Sequence, residues 1–418
     1  MAFVDEIPPR LAGGLCAQSA HAFLPCLSPN LTSSSHPPCP ALPPPGHWDL
    51  FCSVVDNFGD IGVCWRLARQ LAAEHGFAVR LWVDDLRAAE RLEPSLDTGK
   101  ASQWVDGVEI RRWDAHFPVV EPGQVVVAAF ACRLPEVFVE AMARRLPRPV
   151  WINLEYLSAE GWVADCHALP SPHPRLPLVE HFFFPGFDGR TGGVLREADY
   201  AARRAAFSAT GFRSSLGLPV RAPGEVCVSL FSYENAGLAG LLDCWSRAPH
   251  TVTCLVPDGR VVASLAGALG VERLEVGDRL RRGALSVQVL PFVEQRRYDE
   301  LLWACDLNFV RGEDSFVRAQ WAAKPFVWHI YPQDDDAHML KLEAFLGRFG
   351  AGLDARSGCA LSDFWYAWNR EQGVAEAWPA FEAALPALSG HAGRWAAHLE
   401  TVGELASRLV QFCKLKIE

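Results

Sequence analysis

From Trp48 onward, short apolar runs alternate with stretches whose apolar residues recur at helical spacing, and the whole alternation occurs twice. Strands are expected at 49–55, 79–84, 108–113, 125–130, 149–154 and 181–185, with helices at 63–75 and 134–145. A second series has strands at 225–232, 252–256, 286–290, 307–310 and 325–330, and helices at 234–246, 296–304, 315–323 and 337–349. Buried strands joined by helical crossovers lie parallel, in sheets covered on both faces. Two such series make an α/β chain of two Rossmann-like halves, and the cleft between such halves is a common ligand site.

The punctuation divides the chain further. Residues 1–46 hold 10 of the 30 prolines and present no continuous packing face, so a disordered leader is expected there. It is either a natural leader or the product of a start placed too far upstream. Residues 47–190 are expected as the first Rossmann-like half, which the family resemblance given below implies is the acceptor-binding one. Residues 191–223, with Gly192-Gly193 and Arg221-Ala-Pro-Gly224 at its end, are expected as a linker. Residues 224–390 are expected as the second half, which the same resemblance implies binds a nucleotide sugar. Residues 391–418 are expected as a C-terminal helix packing back on the first half; Leu399, Val402, Leu405, Leu409 and Phe412 carry the helical spacing from Arg394 to Leu415.

Composition removes several function classes. The formal net charge is −10 and no Lys/Arg cluster forms a basic face, which argues against nucleic acid as a partner. No apolar run approaches the roughly 20 residues a membrane span needs, and no signal peptide opens the chain. The 13 cysteines are scattered, odd in number and without metal-ligand spacing, which suits a reducing cytoplasm better than a disulfide framework. There is no G-x-G-x-x-G, Walker lysine loop or G-x-S-x-G elbow, so dehydrogenase, P-loop and serine-hydrolase readings are weak.

The chemistry-bearing residues sit at strand-to-helix junctions, where open α/β sheets bind ligands. After the first apolar run come Asp56, Gly59, Asp60 and Gly62. Two carboxylates there can orient and deprotonate a substrate, and the glycines let backbone approach a bound group. A helix cap and a turn acid are the alternative. In the second half, Arg311-Gly-Glu-Asp-Ser315 precedes a helix whose N-terminus suits a phosphate. Ser315 can donate to it, and Glu313 or Asp314 can accept from sugar hydroxyls; an acid-rich helix start is the alternative. Phe231 and Tyr233 end another strand, while Phe292 and Gln295 sit at a further junction, suited to stacking on a base and bonding its edge. Core packing for the aromatics and capping by Gln295 are the plainer readings. The run Asp334 to Asp336 lacks the glycine and closing Glu of a calcium loop and is expected as a solvated helix start.

Taken together these strings resemble the EarP family, the protein-arginine rhamnosyltransferases that modify bacterial elongation factor P. The resemblance rests on Trp48 to Arg69, Asn153 to Glu160, Phe231 to Asn235 and Leu307 to Ser315, in order, over about nine tenths of the chain. Members usually begin just before the equivalent of Trp48. The resemblance implies a GT-B fold, two Rossmann-like domains facing an interdomain cleft. It implies inverting transfer of L-rhamnose from dTDP-β-L-rhamnose to an arginine of elongation factor P, with no cofactor and no metal. By the same resemblance Asp60 is the general base and Asp56 its partner in holding the guanidinium, with Tyr156 and Glu155 near the acceptor. Glu313 and Asp314 are donor-site acids, Ser315 and Tyr233 diphosphate contacts, and Phe231, Phe292, Gln295 and Arg311 further members of the nucleotide-sugar pocket. The alternatives are a glycosyltransferase of this fold acting on a small molecule or glycan, and a non-catalytic nucleotide-sugar-binding module.

Overall fold

The computed structural model describes residues 46–55, 58–333 and 336–417. The expected disordered leader therefore lies outside the described residues except for Gly46, and so do Asp56, Asp334 and Asp335.

The first half runs β1 (His47–Cys52), α1 (Gly59–Ala73), β2 (Ala78–Val83), α2 (Leu86–Leu92), β3 (Ser102–Val105), β4 (Val108–Arg112), β5 (Val125–Ala129), α3 (Glu136–Arg144), β6 (Val150–Leu154), α4 (Val163–Cys166), β7 (Pro170–Pro172) and β8 (Val179–Phe183). Its strand order is β3-β4-β2-β1-β5-β6-β8-β7. The six inner strands are parallel, and β3 and β7 pair antiparallel at the two edges. Pro170 and Pro172 are tolerated because β7 is an edge.

Two short helices follow, α5 (Tyr200–Ala206) and α6 (Ala209–Ser215). The second half runs β9 (Val226–Leu230), α7 (Leu238–Ser246), β10 (Val252–Pro257), α8 (Val261–Leu269), β11 (Arg279–Arg282), β12 (Leu285–Leu290), α9 (Gln295–Ala304), β13 (Leu307–Arg311), α10 (Asp314–Ala322), β14 (Phe326–His329), α11 (Ala337–Phe349), α12 (Ala355–Arg370), α13 (Val374–Val402) and α14 (Leu405–Ile417). Its sheet has the order β11-β12-β10-β9-β13-β14, parallel apart from β11. This is the α/β, GT-B-like arrangement the sequence implies: two Rossmann-like halves. In each sheet the chain leaves the central strand in one direction and returns on its other side, at β1/β5 and at β9/β13. Such reversal points open a crevice at the carboxyl ends of the strands.

Three local expectations change. The segment 191–223 is built rather than open. Tyr200 and Phe212 are buried, so its apolar residues dock α5 and α6 where Gly and Pro suggested only a linker. No helix begins at 391: α13 runs through it to Val402. The helix expected from Arg394 to Leu415 is broken at Gly403, which takes φ +106° and whose carbonyl accepts from the Val194 N–H at 3.1 Å. After that break α14 packs against α1 and β6, with Phe412 against Phe183. Finally, α1 starts at Gly59, four residues before the expected position, which puts Asp60 in its first turn. Among the described residues no helix is long and apolar enough to cross a membrane.

The halves meet where α1 packs on α10. A Cβ on Gly62 would lie 2.9 Å from the Asp314 Cβ, so only glycine permits this approach. Buried charges fasten it. Arg66 Nε donates to Asp314 Oδ1 at 2.7 Å and its Nη1 to Glu197 at 2.9 Å. Glu197 also accepts from Arg318 at 2.6 Å, and Arg318 binds both oxygens of Asp299 at 2.7 Å. Burial opposes the charge on Glu197 and Asp299, but Arg318 and Arg66 outweigh it and hold both carboxyls below the usual range.

Gly62→Ala is expected to lower the unfolding free energy by about 1–3 kcal/mol through overpacking. Arg66→Met leaves Asp314 and Glu197 without their shared cation and is expected to cost roughly 3–5 kcal/mol. Urea titrations read both. Because Glu197 titrates lower in the folded chain than in the unfolded one, its stabilisation is complete above the unfolded value of 4.5 and is lost as pH falls below it. Wild-type stability is expected to fall steeply in that acid range, and that of Arg66→Met less so.

Candidate active site

At the carboxyl end of β1, Asp60 is buried in the first turn of α1. Its Oδ2 accepts from the Val55 N–H at 2.8 Å, which ties Val55 to the first turn of the helix. Its Oδ1 accepts from the Tyr156 hydroxyl at 3.0 Å. The Tyr156 ring stacks on Phe130 with centroids 4.2 Å apart, and the Lys341 ammonium of α11 lies over it at 5.6 Å. Phe130 and Ala131 take φ of +57° and +54°, left-handed backbone that few non-glycine residues adopt.

Glu313 reaches the same place from the second half. Its Oε1 accepts from the Leu157 N–H at 2.6 Å, a contact between halves beside Tyr156. Burial, with the Asp60 and Asp314 charges adding, raises its carboxyl to about 8 against the pull of the Leu157 N–H and Lys341. Asp60, Tyr156, Leu157, Glu313, Trp328, Tyr331 and Lys341 are among the residues lining one cleft of about 630 Å³. It holds a carboxylate, a carboxyl that stays protonated near neutrality and one ammonium. Asp56 lies outside the described residues.

A second, adjoining cavity of about 500 Å³ is lined by Phe58, Gly59, Phe231, Phe292, Gln295, Arg311, Asp314 and Ser315, among others. Its surface is mostly apolar, with the aromatic rings of Phe58, Phe231, Phe292 and Tyr298 in its walls. Phe292 packs on Phe58 at 4.8 Å and carries the Arg91 guanidinium at 4.8 Å. The buried Arg311 guanidinium lies 4.9 Å from the Phe231 ring and 4.6 Å from the Tyr233 ring. His329 stands edge-on to Tyr233, and burial beside Arg311 pushes its imidazole down to about 3, so it is neutral. An apolar slot with one cation at its end suits an aromatic base joined to an anionic group.

The described site residues expected from the sequence thus gather on these two adjoining cavities, except Tyr233, which reaches the second through Arg311, and Glu155, which lines neither and accepts from the Asn153 side-chain amide at 2.9 Å. Three of them are engaged in ways the sequence did not suggest. Ser315 donates its hydroxyl to the Arg311 carbonyl and accepts from the Arg311 N–H at 3.0 Å, so it closes the turn. Asp314 holds Arg66, and Gln295 bonds Gly62, Arg69 and Asp314. Gly62, expected to admit a ligand, admits Asp314 instead. Lys341, Trp328 and Tyr331 carried no sequence signal: they are separate residues of elements far along the chain. A larger groove of about 1830 Å³ is lined by Arg66, Glu74, Glu197, Arg203, Arg297 and Trp303 among others, but its buried cations are already paired with acids. Among the described residues no group of three His, Cys, Asp or Glu side chains is arranged to hold a metal.

The family model for the elongation factor P (EF-P) rhamnosyltransferase EarP matches residues 48–414. The chain belongs to this family. An EarP-family relative, the protein-arginine rhamnosyltransferase of Pseudomonas putida KT2440, is 53% identical over 370 residues, which cover 87% of this chain and 98% of the relative. The protein-arginine rhamnosyltransferase of Shewanella oneidensis MR-1 is 41% identical over 386 residues, covering 88% and 98%. A solved EarP structure, described as the basis for EarP-mediated arginine glycosylation of translation elongation factor EF-P, matches with TM-score 0.62 and 40% identity, over 88% of this chain and 99% of that one.

The elevated Glu313 carboxyl gives a pH signature. Its folded value of about 8 lies above its unfolded value of 4.5, so the folded chain keeps a proton the unfolded chain has lost. Wild-type stability is therefore complete below 4.5 from this source and declines as pH rises through the window up to about 8. Glu313→Gln keeps the shape of the neutral form. Urea titrations across that window are expected to show the variant gaining on the wild type as pH rises.

Proposed function

We propose that this protein-arginine rhamnosyltransferase takes L-rhamnose from dTDP-β-L-rhamnose and places it, with inversion, on one arginine of elongation factor P. The observation that carries the reading is the meeting of Asp60 and Glu313, one from each half, on a single cleft beside an aromatic pocket that ends in Arg311. The family's activity requires an arginine and an activated rhamnose side by side, and these two cavities adjoin.

Arginine is a poor nucleophile because its guanidinium stays protonated and its nitrogen lone pairs are delocalised. In the proposed reaction Asp60 accepts the guanidinium through one oxygen, kept in orientation by Tyr156 and the Val55 N–H. A guanidinium nitrogen attacks C1 of the sugar from the face opposite the diphosphate. As the N–C1 bond forms and the C1–O bond breaks, the proton passes to Asp60 and the electron pair leaves with the diphosphate. Holding the partners this way supplies up to about 7–11 kcal/mol of barrier reduction in ideal cases. Glu313, protonated near neutrality, donates to an oxygen of the donor sugar and does not compete with Asp60 for the cation. Arg311 meets the charge growing on the diphosphate, with Tyr233 beside it. Single displacement needs no enzyme nucleophile. The first half serves the acceptor and the second the donor, and a reducing cytoplasm is the proposed compartment, where elongation factors work.

Incubating the chain with elongation factor P and dTDP-β-L-rhamnose is expected to add the mass of one deoxyhexose to a single arginine-containing peptide. Asp60→Asn is expected to slow that transfer by roughly 10²–10⁴-fold, with dTDP binding by calorimetry unchanged. Near-normal turnover by Asp60→Asn would remove it from the chemistry; a small-molecule acceptor modified while elongation factor P is not would replace the acceptor.

A further inference from the structure

An ion pair between the two halves bridges the edge of the nucleotide pocket. Leu92 of α2 and Pro257 of β10 line the cavity from opposite halves. Their chain neighbours, Arg91 and Asp258, are about half exposed, and Arg91 Nη2 donates to Asp258 Oδ2 at 2.8 Å. The Arg91 guanidinium also covers the Phe292 ring, at 4.8 Å. The pair thus stands between the cavity and solvent. Both of its supports are fixed. Leu86, Ala88, Ala89 and Leu92 bury one face of α2, and the Asp85 side chain caps it by accepting from the Arg87 N–H at 2.9 Å. The Asp258 N–H donates to the Leu290 carbonyl at 2.9 Å, and a Cβ on Gly259 would meet the Phe231 ring at 3.5 Å. Deeper in, Gly62, Arg66 and Asp314 hold the halves together whether or not this pair is made. What can give way is the Arg91 side chain.

We infer that the Arg91–Asp258 pair is a clasp across the mouth of this pocket: it parts to let a nucleoside diphosphate in or out and re-forms behind it, so that it sets the speed of exchange and not the affinity. The inference rests on the nucleotide pocket proposed above and deepens it. An exposed ion pair adds little to stability, but a bond that must break before a ligand moves slows that movement in both directions. Arg91 brings two such contacts, the bond to Asp258 and the cation over Phe292. What breaks on entry re-forms on closure, so both rates fall while their ratio stays. Arg91 itself is no contact of the nucleotide.

The test measures dTDP exchange on the immobilised chain by surface plasmon resonance. Arg91→Ala is expected to speed association and dissociation alike, each by about threefold to tenfold, with Kd within about twofold of the wild type. Asp258→Asn leaves the cation over Phe292 and is expected to give a smaller gain, about threefold. Adding it to Arg91→Ala is expected to change nothing further, because the two act through one bond. Salt screens an exposed pair, so the gap between Arg91→Ala and the wild type is expected to narrow between about 0.05 M and 0.5 M ionic strength. A residue that only supports the fold would leave that gap unaltered. Faster dissociation alone, or slower association, would make Arg91 a contact of the nucleotide and overturn the clasp. Wild-type rates in both variants would overturn it as well, and either result leaves the pocket standing. Failure of dTDP to bind, or binding indifferent to Phe231→Ala, overturns the pocket and the clasp with it.

Discussion

The contact between α1 and α10 at Gly62 is the point on which the site depends. Without a Cβ there, the first helix of one half lies directly against the Asp314 side chain of the other. That approach brings the start of α1, and so Asp60, beside Glu313, which immediately precedes α10. It also forces charge into a dry interface. Asp314 cannot stay buried unpaired, so Arg66 meets it, and Arg66 in turn requires Glu197. Arg318 and Asp299 complete a set in which each buried cation has a carboxylate.

This arrangement divides the acids by environment. Glu197, Asp299 and Asp314 are paired with buried guanidinium groups and serve the junction. Asp60 and Glu313 instead meet neutral donors, a backbone N–H and, for Asp60, a phenol, and they face a cleft. Glu313 lies deep enough to keep its proton near neutrality. One fold thus carries carboxyls that hold two halves together and carboxyls that face the cleft, the latter proposed above to handle an arginine, and their partners tell them apart.

Much of this was legible in the sequence because it is local. Val125 to Ala129 and Val226 to Leu230 read as buried strands from apolar runs, and they lie at the reversal points of their sheets. Asp60, Glu313, Arg311 and Phe231 could be singled out because each lies at or just after a strand end, and each lines one of the two cavities. The rest depends on long-range contact. Arg66 and Asp314 are 248 residues apart and Asp60 and Tyr156 are 96 apart, and no spacing rule connects them. The segment 191–223 looked like a linker because Gly192-Gly193 and Pro223-Gly224 bracket it, while its one decisive residue, Glu197, gains its partners only in three dimensions. Gln295 and Asp314 line the cavity but were not recognised as ties between halves, since a side chain's partner across an interface leaves no mark on its own neighbours. Gly403 was passed over because the apolar period continues across it, although its φ of +106° ends the helix.

The most direct measurement is a crystal structure of the chain with dTDP and an arginine-containing peptide of elongation factor P. The expected density puts the base among Phe58, Phe231 and Phe292, the diphosphate against Arg311, and the guanidinium on Asp60 within reach of the empty sugar position. Nucleotide seated in the groove lined by Glu74, Arg203 and Arg297, or a guanidinium bound away from Asp60, would contradict it.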